Sequence, residues 1–509
     1  MATYRYRTLL HVTLLAAAVA FTLPAEAGKR DNSVKWASNQ VPESLDAYFN
    51  NVRIGVILAH HIWDTLIYRD PKTNQYRPSL ATAWRWVDDK TLEFDLRKGV
   101  KFHNGEGFDA DDVAYTLNFV SKPENKSTTQ QNVNWIASAE KVEQFKVRIH
   151  LKKPFPAALE YLAGPVVIYP NEYYAKVGPK GMSAKPVGSG PYMVVDTQPG
   201  RLVRMKRNPG YFKESLKPQP KIETLELRLV PDQNTQTAEL MAGGLDWIFN
   251  VPPDQAQQLK TVPSLRVKAG ETMRIVFLTL ASGEKTPTPV LKDIRVRKAI
   301  AHAINREAML KTVVGESARV IYTQCFPTQF GCTDEGAPRY NYDPAKAKAL
   351  LKEAGHPNGF DIDLYAYRER PQTEAVIGYL RAVGIRANLR YMQYAAMRDS
   401  IREHKAGFAH QTWGSFSVND VSASTPVYFK FAADDVTRDP EVRDLLDAGD
   451  TSVKAEVRKV AYKNALKKIA EQSYSVPMYS LPVYYAYSKD LEFQPYPDEI
   501  PRFWEYRWK

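Results

Sequence analysis

The sequence predicts an α/β fold made of more than one domain-sized unit. Stretches with the two-residue alternation of half-buried strands recur along the chain, as at 145–151 and 385–391. Between them lie stretches with apolar residues three and four positions apart, which is typical of amphipathic helices, as at 293–304. This alternation favours mostly parallel sheets with helices on both faces. A length of 509 residues allows two to four such units.

Composition and charge narrow the class of protein. The chain is 44% hydrophobic and 25% charged, and after residue 27 no apolar run approaches the roughly 18 residues that span a bilayer. The net charge is +12, or +11 without residues 1–27, which hold two Arg and one Glu. The cationic side chains are scattered among acidic ones, so we expect no nucleic-acid partner. The positive charge either favours anionic ligands or carries no functional meaning.

The N-terminus predicts a secretory signal peptide. Arg5 and Arg7 precede an apolar run over 9–23, and Ala-Glu-Ala at 25–27 forms a cleavage site. The apolar run is too short for an uncleaved anchor. No Cys follows the cleavage site, so a lipoprotein anchor is not supported. We expect a free periplasmic protein of a Gram-negative bacterium whose mature chain begins near Gly28.

The two cysteines of the chain, Cys325 and Cys332, lie in the string CFPTQFGC. In an oxidising compartment this spacing predicts a disulfide. Closing a loop of this length would stabilise the fold by roughly 2.5 kcal/mol on the chain-entropy description. A metal site is the alternative, but two thiols without a nearby His offer too few ligands.

Local patterns predict individual elements in chain order. A helix is expected over 54–68 and a strand at 92–96, where Leu92, Phe94 and Leu96 alternate with polar residues. Asp109, with Asp112 three positions later, predicts a capping box at the start of a helix. Further expected elements are a helix capped by Asp293 with Val296, Ile300, Ala303 and Ile304 on one face, a helix capped by Asp343 with Pro344 at its first position, and an aromatic-rich strand over 476–488.

No catalytic or metal-binding pattern is present in the sequence. His60 and His61 are adjacent on the expected helix and point about 100° apart, so they cannot easily share a metal ion. Ser189 lies in G-S-G, which is not a G-x-S-x-G elbow, and the chain has neither an HExxH motif nor a Cys/His pairing. We therefore expect no enzyme, no cofactor and no metal.

Several long motifs resemble one protein family. Residues 77–118 contain P-S-L-A-x-x-W, T-x-x-F-x-L-R-x-G-V-x-F-H-x-G and F-x-A-x-D-V-x-Y-T in that order. Residues 293–306 read DIRVRKAIAHAINR, and GSGPY and RNPGY follow the same resemblance at 188–192 and 207–211. Together these resemble the peptide/opine/nickel solute-binding proteins of bacterial ABC importers, extracellular solute-binding family 5.

The resemblance implies an α/β fold of the two-lobed periplasmic binding type (type II, Venus-flytrap), with discontinuous lobes. The implied division is a signal peptide at 1–27, lobe I at 28–66, 187–271 and 478–509, an inserted subdomain of lobe I at 67–186, and lobe II at 272–477. The two crossings between lobes, near 271 and 477, suit hinge closure around a ligand. The implied partners are a small-molecule or peptide ligand and the ABC permease subunits of the inner membrane, and we expect a monomer.

The resemblance also implies a ligand-binding arginine. Dipeptide-binding members of the family carry an R-P pair after a strand, and that Arg pairs with the ligand carboxylate. Arg370, before Pro371, matches the motif, and Arg368 is the alternative. A guanidinium offers a bidentate fork to a carboxylate, so the chemistry fits. A solvated surface arginine remains the other interpretation.

A second candidate site is the string T-W-G-S at 412–415. Peptide-binding relatives have an Asp where Ser415 falls, and that Asp binds the α-amino group of the peptide. Its absence removes a charge-assisted hydrogen bond worth roughly 1.5–3 kcal/mol, which puts free-amine peptide recognition in doubt. The remaining candidates are Asn419 or Asp420 as substitutes for that Asp, Trp413 as either a stacking or a core residue, and Tyr391 and Tyr394.

These observations predict a periplasmic substrate-binding component of an ABC importer. It would close its two lobes on a peptide or peptide-like solute, such as an opine or an anionic conjugate, and deliver it to the permease. The alternatives are an exported hydrolase and a nickel- or metallophore-binding protein of the same fold.

Overall fold

The computed structural model describes residues 28–509 except 41, 43, 51, 316 and 415–417. The predicted signal peptide at 1–27 lies outside the described residues. Within the described ranges, every helix is too short or too polar to cross a membrane.

Strands and helices alternate along the described chain. The strands are β1 (Ser33–Ser38), β2 (Ile67–Arg69), β3 (Tyr76–Pro78), β4 (Ala81–Asp88), β5 (Thr91–Leu96), β6 (Ile136–Glu143), β7 (Lys146–Leu151), β8 (Tyr192–Gln198), β9 (Leu202–Arg207), β10 (Thr224–Leu229), β11 (Trp247–Phe249), β12 (Leu265–Gly270), β13 (Arg274–Leu280), β14 (Phe360–Ala366), β15 (Ile385–Tyr391), β16 (Phe408–Gly414), β17 (Ser475–Ser480), β18 (Val483–Ser488), β19 (Leu491–Glu492) and β20 (Arg507–Trp508). The α-helices are α1 (Arg53–Ile62), α2 (Ala110–Val120), α3 (Ala158–Ala163), α4 (Asn171–Ala184), α5 (Gln233–Met241), α6 (Pro253–Leu259), α7 (Ile294–Ala303), α8 (Arg306–Met309), α9 (Pro344–Glu353), α10 (Arg370–Ala382), α11 (Tyr394–Arg402), α12 (Thr425–Phe429), α13 (Pro440–Thr451) and α14 (Ala455–Glu471). The predicted α/β class is confirmed.

The largest sheet joins strands that are far apart in the sequence. Its order is β12-β18-β11-β1-β10-β9-β8, with β1 parallel to β10 and β11 and the other pairs antiparallel. Its core is aromatic, because the ring of Trp36 lies 4.8 Å from Phe503 and 5.8 Å from Trp247. The N-terminal strand and the C-terminal segment are therefore packed into one core.

A second sheet has the order β15-β14-β16-β13-β17. Strand β14 runs parallel to β15 and β16, whereas β13 runs antiparallel to β16 and β17. The expectation of mostly parallel sheets is wrong in both large sheets. Strand β13 enters directly from the seven-stranded sheet through 271–273, without the helical crossover that a parallel connection requires.

The chain passes between the two large sheets twice, at 271–273 and at 481–482. The single strand expected over 476–488 is therefore two strands, β17 and β18, one in each sheet. Pro482 lies at the break between the two strands. Proline has no backbone N–H to donate, and at this position neither sheet loses a hydrogen bond. The predicted residue bounds of the lobes stay a prediction, because sheet membership does not assign every helix and loop.

A third sheet, β4-β5-β7-β6, is entirely antiparallel. Leu92, Phe94 and Leu96 are buried as predicted. Glu93, expected on the polar face, is buried as well, because Arg85 and Arg148 on the flanking strands pair with its carboxylate.

The predicted helix starts are confirmed. Asp109 and Asp112 form a capping box on α2, Asp293 caps α7, and Asp343 caps α9 with Pro344 in its first turn. The apolar face predicted for α7 is also buried, at Val296, Ile300, Ala303 and Ile304.

The helix expected over 54–68 is wrong beyond Ile62. The next residues leave the helix because their side chains form tertiary bonds. Asp64 pairs with the buried Lys217 at 2.8 Å, and the hydroxyl of Thr65 donates to the carbonyl of Ile67 at the start of β2.

Candidate functional site

A cavity of about 780 Å³ lies between two stretches of chain that belong to different sheets. Residues 128–161, beside the four-stranded sheet, form what we call the first wall. Residues 394–450, around β16 and helices α11 to α13, form the second wall. The volume lies within the range of small-molecule binding sites in proteins.

The first wall presents an aromatic surface. The ring of Phe155 lies 5.3 Å from Trp135 and 5.4 Å from Tyr161, measured between ring centroids. The indole N–H of Trp135 donates to the carbonyl of Asn132 at 2.8 Å, so the ring is held in place. Such rings can stack on planar or apolar parts of a ligand.

The second wall contributes Trp413 and Tyr394. Trp413 is the penultimate residue of β16. It donates its indole N–H to the carbonyl of Ala423 at 3.2 Å and packs edge-on against Tyr428 at 5.7 Å. Tyr394 begins α11, with its ring 4.9 Å from Tyr367. Burial of the phenol raises the pKa of Tyr394, so this hydroxyl stays protonated.

Cationic side chains outnumber carboxylates around the cavity. Among the described lining residues, the carboxylates are Asp434 and Asp450, and the cations are Lys152, Lys153, Arg398, Arg402 and Lys430. Arg402 binds Asp434 through two hydrogen bonds of 2.7 and 2.8 Å. Lys430 binds Asp450 at 2.6 Å. Both carboxylates are therefore already paired with cations.

Arg398, Lys152 and Lys153 do not pair with either of these two carboxylates. The buried Nε of Arg398 makes no hydrogen bond, and its ion pair with the adjacent Asp399 is long, at 3.7 Å. The guanidinium lies over the ring of Tyr394, 5.7 Å from its centroid. Lys152 and Lys153 are exposed and form no ion pair within the described chain. The cavity consequently carries an excess of positive charge.

A carboxylate on the first wall binds the second wall directly. Glu160, on α3, accepts a hydrogen bond of 2.7 Å from the backbone N–H of Asn419. The hydroxyl of Tyr76 donates to Oε1 of Glu160 at 2.6 Å, and Arg69 pairs at 3.3 Å with Oε2, the oxygen that accepts from Asn419. Next to Asn419, Val418 is buried in the hydrophobic cluster of the first-wall side. The two walls are thus in contact at the edge of the cavity.

Arginines from both sides also converge on Glu499. Arg53 of α1 lies 3.3 Å and Arg274 of β13 lies 3.6 Å from its Oε1. Burial raises the pKa of Glu499, but the charges of Arg53, Arg274 and Arg368 outweigh it, so the net pKa lies below its ordinary value. Glu499 therefore remains ionised and links the two large sheets.

The disulfide between Cys325 and Cys332 is present. The loop that it closes supports the segment bound by Glu160. Phe330 donates its backbone N–H to the carbonyl of Asn419 at 2.9 Å, and the amide of Gln329 donates to the carbonyl of Val418 at 3.2 Å. The disulfide loop thus supports the second wall from behind.

The structure brings some of the predicted ligand residues to the cavity and places others elsewhere. Trp413 and Tyr394 line it. Asn419 and Asp420 are buried beside it, and both oxygens of Asp420 accept from Arg458, at 2.8 and 2.9 Å. Ser415 lies outside the described residues.

The predicted arginines do not line the cavity. Arg370 is exposed at the first turn of α10, pairs with Glu374 at 2.8 Å, and lies 5.7 Å from the ring centroid of the exposed Tyr391. Arg368 is half-buried, pairs with Glu369 at 2.7 Å, and faces the Glu499 cluster.

Sequence reasoning missed most of the first wall. The sequence analysis identified neither Lys152 and Lys153 nor Trp135 on this wall, and on the second wall it did not identify Arg398. Two adjacent lysines followed by Pro-Phe-Pro at the end of a strand are a usable signal, since strand ends are common ligand positions in α/β proteins.

Comparisons with known proteins agree with this architecture. The sequence profile of the bacterial extracellular solute-binding proteins, family 5 Middle, matches residues 75–435. Glutathione-binding protein GsiB of Salmonella paratyphi A is 31% identical over 383 residues, covering 74% of this chain and 72% of that protein.

Solved structures of binding proteins share the fold. The dipeptide binding protein of Pseudoalteromonas sp. SM9913 in complex with Met-Leu has a TM-score of 0.79 at 23% identity, covering 94% of this chain and 100% of that one. The binding protein AgaA of A. tumefacien R10 in complex with agropinic acid has a TM-score of 0.76 at 23% identity, covering 94% of this chain and 99% of that one. The predicted type II periplasmic binding fold is confirmed. The chain belongs to the bacterial extracellular solute-binding proteins of family 5.

Proposed function

We propose that this protein is the periplasmic substrate-binding component of an ABC importer. It captures a peptide or peptide-like solute, opines and anionic conjugates included, between the two walls and delivers it to the permease in the inner membrane. It acts as a monomer and without catalysis. The observation that carries this proposal is the 780 Å³ cavity between two walls that belong to different sheets.

The contacts between the walls support a mechanism of ligand-biased closure. Within the described residues, two short connections, 271–273 and 481–482, join the large sheets. A ligand that touches both walls binds the closed form better than the open form and shifts the equilibrium by that difference in affinity. The bonds of Glu160 and Glu499 across the two sides favour the closed form further.

Trp413 and Tyr394 are the proposed stacking residues, because both line the cavity. Arg370 as the carboxylate anchor remains a prediction, with Arg368 as its alternative. The Arg370→Ala variant tests it: loss of binding of a carboxylate ligand supports the assignment, and unchanged affinity removes Arg370 from the site.

Native mass spectrometry of the gently purified mature protein, with fragmentation of the bound solute, tests the function. We expect one solute per chain, and small-angle X-ray scattering should show compaction when that solute is added back to stripped protein. A protein that carries no solute and compacts with no candidate solute contradicts the proposal. Bound nickel, or turnover of ester, peptide or glycoside substrates, would favour the two alternatives instead.

A further inference from the structure

We propose that Lys152, Lys153 and Arg398 form an anion subsite, so that the solute is a net anion with an aromatic or apolar portion beside its acidic group. This inference rests on the proposed function, because it assigns the ligand class of the same cavity. It assigns the anion to residues on both walls, as an alternative to the anchor predicted at Arg370 or Arg368.

Arg398 is the central residue of the subsite. Its side chain lines the cavity, its buried Nε makes no hydrogen bond, and its one nearby carboxylate is 3.7 Å away on the same helix. A buried N–H of a guanidinium without an acceptor is unfavourable. Asp399, 3.7 Å away, offsets part of the guanidinium charge, and an anionic oxygen in the cavity would offset the rest.

Lys152 and Lys153 bring further positive charge from the opposite wall. The backbone N–H of Lys152 donates to the carbonyl of Trp135 at 3.0 Å, which fixes the start of this pair next to the aromatic surface. Neither ammonium has a carboxylate partner within the described chain. An anion that sits between the walls would therefore meet cations from both of them, and its binding would favour closure.

The carboxylates of the described lining are not available to an ammonium group of a ligand. Asp434 and Asp450 are the described carboxylates of the lining, and Arg402 and Lys430 already neutralise them. A free α-amine would have to displace one of these cations. The aromatic rings of Trp135 and Phe155 lie on the same wall as the two lysines, so the acidic group should have a planar or apolar neighbour.

A matched pair of fluorescent probes tests the subsite without knowledge of the natural solute. The anion 8-anilinonaphthalene-1-sulfonate carries a sulfonate on an aromatic frame, and N-phenyl-1-naphthylamine is the same frame without charge. We expect stripped protein to bind the sulfonate at one saturable site. Arg398→Gln and the double variant Lys152→Gln/Lys153→Gln should each weaken it about 10-fold or more while leaving the neutral probe unchanged.

The control is Arg386→Gln, which removes an exposed arginine that pairs with Asp361 away from the cavity. Thermal unfolding of each variant establishes that it is folded. Absence of saturable sulfonate binding to the unmutated protein, or equal affinity in all variants, overturns the subsite. If the subsite fails while a co-purified solute still compacts the protein, the transport proposal stands with a different anchor. If sulfonate binding behaves as expected but no solute compacts the protein, the proposed function fails and the subsite remains.

Discussion

Replacing Glu160 with alanine should shift the protein towards its open form. Glu160 is the residue of the first wall whose carboxylate accepts the backbone N–H of Asn419 on the second wall, at 2.7 Å. Its other partners, Tyr76 and Arg69, lie on β3 and β2, and β2 packs against α3, which carries Glu160. Those bonds persist whether the walls are open or closed, so the bond to Asn419 is the one that closure adds.

The size of the effect follows from that single bond. A hydrogen bond to a charged acceptor contributes about 1.5–3 kcal/mol, and its loss leaves a buried N–H without an acceptor. The closed form should therefore weaken by about 10- to 150-fold relative to the open form. Glu160→Gln keeps a neutral acceptor oxygen at the same place. We expect it to lose about 1 kcal/mol, or roughly fivefold.

The assay combines titration calorimetry and small-angle scattering with the solute that co-purifies. The order of affinity should be unmutated protein, then Glu160→Gln, then Glu160→Ala, and the alanine variant should need more solute to reach the same compaction. Glu143→Ala is the matched control, since Glu143 is an exposed glutamate of β6 on the same side of the cavity. Equal affinity and equal compaction in Glu160→Ala would refute the role of this contact in closure.

Three further predictions concern the fold. Changing Cys325 and Cys332 together to serine should lower the free energy of unfolding by about 2.5 kcal/mol, measured by urea titration, and a loss near zero would contradict the chain-entropy argument. Burial raises the pKa of Asp246 from 3.8 to about 7. The folded state therefore binds this proton more tightly than the unfolded chain, and its stabilisation is full at low pH and lost as the pH rises through 7. Unfolding free energy should rise by about 2 kcal/mol from this group between pH 7 and 5, and Asp246→Asn should remove that part of the pH dependence. Arg458→Ala should cost about 3–5 kcal/mol, because it leaves the buried Asp420 without its counter-charge, and a shift of the thermal midpoint indistinguishable from that of an exposed arginine variant would contradict this.

Local signals predicted the parts of the fold that depend on neighbouring residues. The capping box of Asp109 and Asp112 and the buried face of α7 involve contacts within a few positions, so periodicity and capping rules were sufficient. The burial of Glu93 was not predictable in this way, because its partner Arg148 comes from a strand 55 residues later.

The candidate site was also predictable only where residues close in the sequence define it. Trp413 was identified as part of the string T-W-G-S at 412–415. The excess positive charge of the cavity arises because the fold brings Lys152 and Arg398 to the cavity from opposite walls. It also depends on the pairing of the lining carboxylates with other cations. Single-sequence reasoning has no access to that pairing. Arg370 was predicted as the anchor from a sequence motif, and the motif does not describe the surroundings of its side chain.

The position of β18 has a consequence for how the protein acquires its structure. This strand lies between β11 and β12, so β11 is paired on one side, with β1, and β12 has no partner in this sheet until residues 483–488 arrive. The aromatic core around Trp36 likewise waits for Phe503. Because synthesis starts at the N-terminus, this sheet keeps an open edge until almost the last residues are made. Strand pairing over such a long sequence separation is slow. Late completion would leave the seven-stranded sheet unfinished for most of synthesis, and it makes C-terminal truncation far more damaging than the number of lost residues suggests.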